Sequence, residues 1–199
     1  MRLPLLLLTL FVFPGCKQEK KEEKVSLSGK KILMVIAFQN FRDEEFKEPY
    51  ELFKKLGAEV TVASSKKGEA KGMLGMTFQV ENLLSEQSAD PYDAIIFVGG
   101  MGSTEYWDNP DAHKLLLNAN TKGKVIGAIC LAPVTLAKAG ILRGKKATVY
   151  PTDETLRLFR ENEVSYTQAD VVVDGKIVTA SGPQAAKKFG EKIVELLTK

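Results

Sequence analysis

The chain has 199 residues, 28 basic and 25 acidic, with a hydrophobic fraction of 44%, which points to one domain plus an appendage and a sizeable core. The charges nearly balance and no basic stripe interleaves with aromatics, so composition gives nucleic-acid binding no support. A single histidine, His113, excludes any mechanism that needs two, His-rich metal sites included, and two cysteines far apart argue against a zinc ribbon or a disulfide scaffold.

In chain order, residues 1–15 read as a signal peptide. Arg2 supplies a positive start, and residues 3–13 form an almost unbroken apolar run too short to span a bilayer as a helix. Gly15-Cys16 after that run resembles a bacterial lipobox, with the departure that Phe13 stands where Leu is usual, beside Pro14. In that reading the leader is removed and Cys16 becomes an acylated N-terminus, giving a membrane-anchored lipoprotein of the cell envelope. A leader left uncleaved or cut elsewhere gives a periplasmic or cytoplasmic protein instead. An acylated Cys16 cannot pair with Cys130, which then stays a free thiol. Residues 16–30 include KQEKKEEK, without an apolar residue, and read as a polar tether that reaches about 45 Å when extended.

From 31 to 199, strand and helix patterns alternate within one domain. Residues 32–38 (ILMVIAF) form the continuous apolar run of a strand buried on both faces. A helix over 44–56 stops at Gly57, and strands follow at 59–63 and 94–98, the latter ending in Gly99 and Gly100. Asn109 caps a helix whose first residue is Pro110. Residues 125–129 read as a strand and 131–139 as a short helix stopped by Gly140. Further strands are expected at 146–149 and 171–173, with a tight Asp174-Gly175 turn into 177–180. The last helix, 184–197, carries Phe189, Ile193, Leu196 and Leu197 at helical spacing. Such alternation predicts the α/β class, with a mostly parallel sheet covered on both faces.

Chemistry concentrates at Ala128-Ile129-Cys130-Leu131-Ala132. Small residues two positions either side of a nucleophile, between a buried strand and a short helix, are what a nucleophile elbow requires. The turn pushes the central side chain beyond the strand ends, where ligands bind in open α/β sheets. A thiol at a helix N-terminus is expected to titrate below its free value of about 8.5; the alternative is an inert, buried structural cysteine. The Gly99-Gly100-Met101-Gly102 run lets backbone approach a ligand, so the Gly100 and Leu131 amides could form an oxyanion hole. A dinucleotide loop is the competing reading, but Glu105 holds the place of its last glycine; a plain turn also needs glycine. Glu45 shares a helix face with Pro49, Leu52 and Leu56, within about 40° of one another, and so faces inward. A solvated first-turn carboxylate is the other reading.

Together AICLAP around Cys130, VGGMGSTEYWDNP from Val98, AGILRGKKATVYP from Ala139 and VTASGPQAA from Val178 resemble the ThiJ/PfpI superfamily, within the class I glutamine amidotransferase-like fold, over about residues 31–199. That superfamily includes the parkinsonism-associated protein deglycase and the intracellular proteases called protease I. The resemblance implies a flavodoxin-like three-layer sandwich, often dimeric or larger, so a homodimer is expected. It implies that Cys130 is the family's cysteine and Glu45 its helix glutamate, which hydrogen-bonds the sulfur when protonated and stabilises its thiolate and sulfinate forms. Gly100 and Leu131 match the family's oxyanion-hole amides, and Gly99 and Tyr150 fall at the pocket.

Departures narrow the function. Protease-like members carry a histidine directly after the cysteine, where this chain has Leu131, and His113 is expected on a remote surface. A cysteine protease needs a base to move its proton, so the peptidase reading loses its machinery. The deglycase branch has a histidine near the pocket where Tyr150 stands here, and some relatives carry an acid at Arg42. The resulting expectation is a glyoxalase- or deglycase-like enzyme of stress response acting on small reactive carbonyls, without a metal or cofactor. The alternatives are a redox-sensing or chaperone-like thiol protein without turnover, an envelope-anchored binding module with a vestigial thiol, and a peptidase of the protease I type.

Overall fold

The computed structural model describes residues 25–199; the signal peptide, Cys16 and most of the tether lie outside the described residues. The first half contains β1 (Lys31–Val35), β2 (Gln39–Phe41), α1 (Asp43–Lys55), β3 (Glu59–Ser64), β4 (Gly68–Gly72), β5 (Thr77–Val80), β6 (Asn82–Leu83) and β7 (Ala94–Phe97). The second half contains α2 (Pro110–Thr121), β8 (Val125–Ile129), α3 (Pro133–Lys138), β9 (Lys146–Ala147), α4 (Asp153–Glu161), β10 (Ser165–Tyr166), β11 (Val171–Asp174), β12 (Ile177–Ala180) and α5 (Ala186–Leu197).

Seven strands form one sheet in the order β11-β12-β8-β7-β1-β3-β6. Every pair is parallel except the hairpin of β11 and β12. Strands covered on both faces must be apolar throughout, and β7 and β8 are buried at every residue. The strand period of two divides them between two cores. Leu33 and Val35 point to the face covered by α2, α3 and α4, where Leu116, Val134 and Phe159 pack. Ile32 and Met34 point to the face covered by α1 and α5, where Phe46, Phe53, Phe189 and Ile193 pack. The result is the expected three-layer, mostly parallel α/β sandwich.

Helices α1 and α5 pack closely because of one glycine. A Cβ on Gly190 would lie 3.3 Å from Pro49 Cα and 3.2 Å from Leu52 Cδ2. Pro49 sits inside α1, where it can donate no amide to the Glu45 carbonyl. Its side chain is buried against α5, which gives an otherwise unfavourable helix residue an apolar contact.

Several local expectations shift. The 32–38 run leaves the ladder at Val35, although Ile36 and Ala37 stay fully buried. The Ile36 amide instead donates to Ala63 O at 3.0 Å. The expected strand at 146–149 is only Lys146–Ala147, paired with β10 in a separate two-stranded sheet. The hairpin turn falls at Gly175-Lys176, with Gly175 at φ 62 and Asp174 still paired to Ile177. The expected helix over 131–139 starts two residues later, at Pro133. Not expected at all were α4, β6, β10 and the small sheet in which β4 pairs with β2 and β5.

Candidate active site

The chain turns sharply after β8. Cys130 adopts φ 63, in the left-handed region that costs a residue with a Cβ roughly 1–2 kcal/mol. Tertiary hydrogen bonds hold it there. The Cys130 amide donates to Ala180 O at the end of β12 (2.9 Å), and its carbonyl accepts from the Tyr150 amide (2.9 Å). Ala128 and Ala132, two residues either side, are buried at 0% and 1% exposure, leaving no room for larger side chains. Trp107 Nε1 donates to Leu131 O at 3.0 Å and pins the residue after the sulfur. The sharp turn read from small-x-Cys-x-small is therefore present.

Cys130 opens into a cleft of about 580 Å³ at the carboxyl ends of the parallel strands. Glu45, Gly100, Leu131 and Tyr150 share its wall. The amides of Gly100 and Leu131 both act on the sulfur and favour its anion. Gly99 does not line the cleft; it lies behind the sulfur. A Cβ there would collide with Glu45 Oε2, Cys130 Cβ and Ile129 O, so its lack of a side chain is what lets the carboxyl and the sulfur meet. His113 stands on α2 with Nε2 2.8 Å from Trp107 O and does not reach the cleft.

Glu45 is fully buried, as the helix periodicity implied. Neither of its oxygens has a hydrogen-bond partner of full geometry among the described residues. The Cys130 thiol and the Gly99 amide are close enough to act on its proton. Burial pushes this carboxyl from 4.5 up to about 8, partly offset by Cys130 and the nearby Arg42 guanidinium. Glu45 is thus protonated at neutral pH and able to donate a hydrogen bond.

The thiol departs from the expectation of a lowered value. Burial first, and then the Glu45 charge, push Cys130 up to about 12, against the Gly100 and Leu131 amides. Two features explain the reversal. α3 has six residues and begins three positions beyond the sulfur, so its dipole is short and offset. The turn also buries Cys130 to 9% exposure. The two groups are one acid pair: each charge disfavours the other, so at most one negative charge is held until strongly alkaline pH.

Other cleft residues come from segments with no chemical motif. Met73 projects from the β4–β5 turn, Arg42 precedes α1, and Glu154 and Thr155 lie in the first turn of α4. The start of α4 was readable: Thr152 and Thr155 form a reciprocal cap, with acidic Asp153 and Glu154 between them. Arg42 is paired with Glu44, its Nε 2.8 Å from Oε2.

Comparison with known proteins agrees with this geometry. The DJ-1/PfpI family model matches residues 30–196. The chain is 43% identical over 200 residues to an uncharacterised protein of Methanocaldococcus jannaschii, covering 100% of this chain and 98% of that one. It is 32% identical over 167 residues to a deglycase of Pyrococcus abyssi, covering 83% of this chain and 98% of the deglycase. Among solved structures, a ThiJ/PfpI domain protein from Brachyspira murdochii superposes with a TM-score of 0.80 at 35% identity, covering 85% of this chain and 98% of that one. The family model, the relatives and the superposition agree, and the chain belongs to the DJ-1/PfpI family.

Proposed function

We propose that this protein is a glyoxalase- or deglycase-like enzyme acting on small reactive carbonyls such as methylglyoxal, with Cys130 as nucleophile. The observation that carries the reading is the buried, protonatable Glu45 beside a cleft-facing sulfur, with two backbone amides directed at that sulfur. The deglycase name of the Pyrococcus relative supports the reaction class.

In the singly ionised form of the pair that has the sulfur as the anion, the sulfur adds to the aldehyde carbon and the protonated Glu45 gives up its proton. The aldehyde oxygen is stabilised by the Gly100 and Leu131 amides and takes up a proton, giving a hemithioacetal. Glu45 then removes the proton from the former aldehyde carbon, and a proton is returned to the neighbouring carbon. That carbon is reduced as the first is oxidised, which gives a lactoyl thioester without an external oxidant. Water cleaves the thioester, releasing lactate and restoring the thiol. Methylglyoxal plus water gives lactic acid. Tyr150 lines the cleft where the deglycase branch is expected to carry a histidine, and it contacts the substrate.

The test is lactate formation from methylglyoxal by residues 25–199. We expect turnover by the wild type and none by Cys130→Ala; equal rates would remove the reading. Glu45→Gln should lower turnover by roughly 10²–10⁴-fold, the usual size of a general acid–base contribution.

A second reading follows from the same orphaned carboxyl: Glu45 could hold an oxidised Cys130 sulfur by hydrogen bonding. A gain of two oxygens on Cys130 under mild peroxide, without carbonyl turnover, would favour it. Envelope anchoring through acylated Cys16 is likewise proposed. Cys16→Ser should release the full chain from the membrane fraction.

A further inference from the structure

The end of the molecule opposite the cleft carries a different chemistry. In a parallel sheet the amino ends of the strands share one face, and the cleft lies beyond their carboxyl ends. Lysines stand at those amino ends. Lys30 and Lys31 open β1, Lys122 and Lys124 precede β8, and Lys176 precedes β12. Lys145 and Lys146 join them, since the Lys146 amide donates to Asp174 Oδ2 at 2.9 Å at the end of β11. These lysines are scattered through the sequence, and only the strand order gathers them into a row.

Their charges do not cancel. Lys30 pairs with Asp93 at 3.8 Å, Lys31 with Glu59 at 3.4 Å, Lys145 with Asp174 at 3.6 Å, and Lys122 with Asp90. Those acids are thereby matched. Among the described residues Lys124, Lys146 and Lys176 take part in no ion pair. Lys124 Nζ donates only to Asp90 O at 3.3 Å, and Lys176 Nζ to Gly123 O at 2.8 Å. Lysines in a helix's last turn answer its dipole, which accounts for Lys54 and Lys55 of α1. It does not account for Lys146 and Lys176, which are exposed at strand ends. The charges of the chain nearly balance, so this face is a separation of charge and does not follow from a basic composition.

The chain also enters the domain here. The amide of buried Leu27 donates to Leu56 O at 2.8 Å, and the Glu59 amide donates to Lys30 O at 2.9 Å. Residue 25 is therefore close to the lysine row, and residues 16–24 lead from it to Cys16 over at most about 30 Å.

We propose that the lysine face docks on the anionic lipids of a bilayer, with the cleft turned away from the membrane. The inference rests on the envelope-anchoring reading above for what brings a bilayer within reach, and adds an orientation that an acyl chain alone does not set. Unpaired lysines near an anionic surface attract it. The one exposed aromatic residue, Tyr150, lies at the cleft, so the row offers no platform on which nucleic-acid bases could stack.

Residues 25–199 lack Cys16, so their binding to vesicles tests the face apart from the anchor. The probes are vesicles of phosphatidylcholine alone and of phosphatidylcholine with an equal part of phosphatidylglycerol, pelleted with the protein at low ionic strength. Partition should be about 100-fold stronger onto the anionic vesicles, roughly fivefold for each unpaired lysine, and should collapse as salt is added. Lys124→Gln, Lys146→Gln and Lys176→Gln together should remove the preference. The same change at Lys66, Lys187 and Lys188, exposed at the cleft end, should keep it. Trp107 is the only tryptophan and lines the cleft, so brominated lipid chains in the anionic vesicles should leave its fluorescence unquenched. Equal partition onto both vesicles, equal loss in both triple variants, quenching of Trp107, or displacement by duplex DNA at equal phosphate concentration would each overturn the proposal. The anchor is tested separately, by Cys16→Ser at physiological salt, where the face alone holds too weakly to retain the chain. A wild-type chain found outside the membrane fraction there would overturn the anchor and leave the vesicle result standing.

Discussion

Cys130 occupies a backbone conformation that suits glycine, so the elbow carries local strain offset by its tertiary hydrogen bonds. Cys130→Gly should therefore be more stable than Cys130→Ala by about 1 kcal/mol, although both lack the sulfur; thermal melts of the two variants check this. Glu45 makes the second prediction. It titrates near 4.5 in the unfolded chain and at about 8 when folded. Between those values the unfolded state has released a proton that the folded state keeps, so stability should fall as pH rises from about 5 to 8, and the raised Cys130 thiol should extend the fall above about 9. The loss is on the order of a few kcal/mol, and Glu45→Gln should flatten the profile in urea titrations. Alkylation of Cys130 should rise through the same region as the pair gives up its first proton. The positions of both residues were legible, because small flanking residues and helical periodicity are local properties. The direction of the thiol shift was not. It depends on burial and on a carboxyl brought in from α1, neither of which the AICLAP motif records.

At the level of elements, the least legible part of the site is the β4–β5 hairpin. Residues 68–80 are short, glycine-rich and only half-buried, so no apolar period announces them. The order comes from outside the segment. The Asp43 carboxylate, in the first turn of α1, accepts from the Leu74 amide at 2.9 Å and the Met76 amide at 2.7 Å. Gly72 lies so close to that carboxylate that any side chain would displace it. Asp43→Ala should destabilise the protein by roughly 1–3 kcal/mol, because two amides lose a charged acceptor. Faster hydrogen exchange at Leu74 and Met76 should accompany it. Met73, on the same turn, lines the cleft, so substrate affinity should fall too. By contrast, the start of α2 was legible to the residue: the Asn109 side chain caps the Asp111 and Ala112 amides at 2.9 and 3.0 Å, and Pro110 follows directly. A start written in three adjacent residues can be read without the fold; a turn tethered by a distant aspartate cannot.

For the whole molecule, the parallel sheet and its two helical layers followed from unbroken apolar strands, while helix α4, the edge strand β6, strand lengths and small peripheral sheets escaped. The packing of α1 on α5 was not foreseen, since nothing near Gly190 in sequence mentions Pro49. Gly190→Leu should force the two helices apart, destabilise the fold by roughly 1–3 kcal/mol and reduce turnover, because α1 carries Glu45. Parallel measurement of melting temperature and lactate formation checks both. That same contact joins one of the earliest helices of the domain to its latest. A chain emerging from the ribosome makes Glu45 first and Cys130 much later, and the helix that seats the acid comes later still. The acid–sulfur partnership is therefore completed only when α5 docks, so a chain made only as far as α3 carries a sulfur whose proton is not yet governed by the carboxyl.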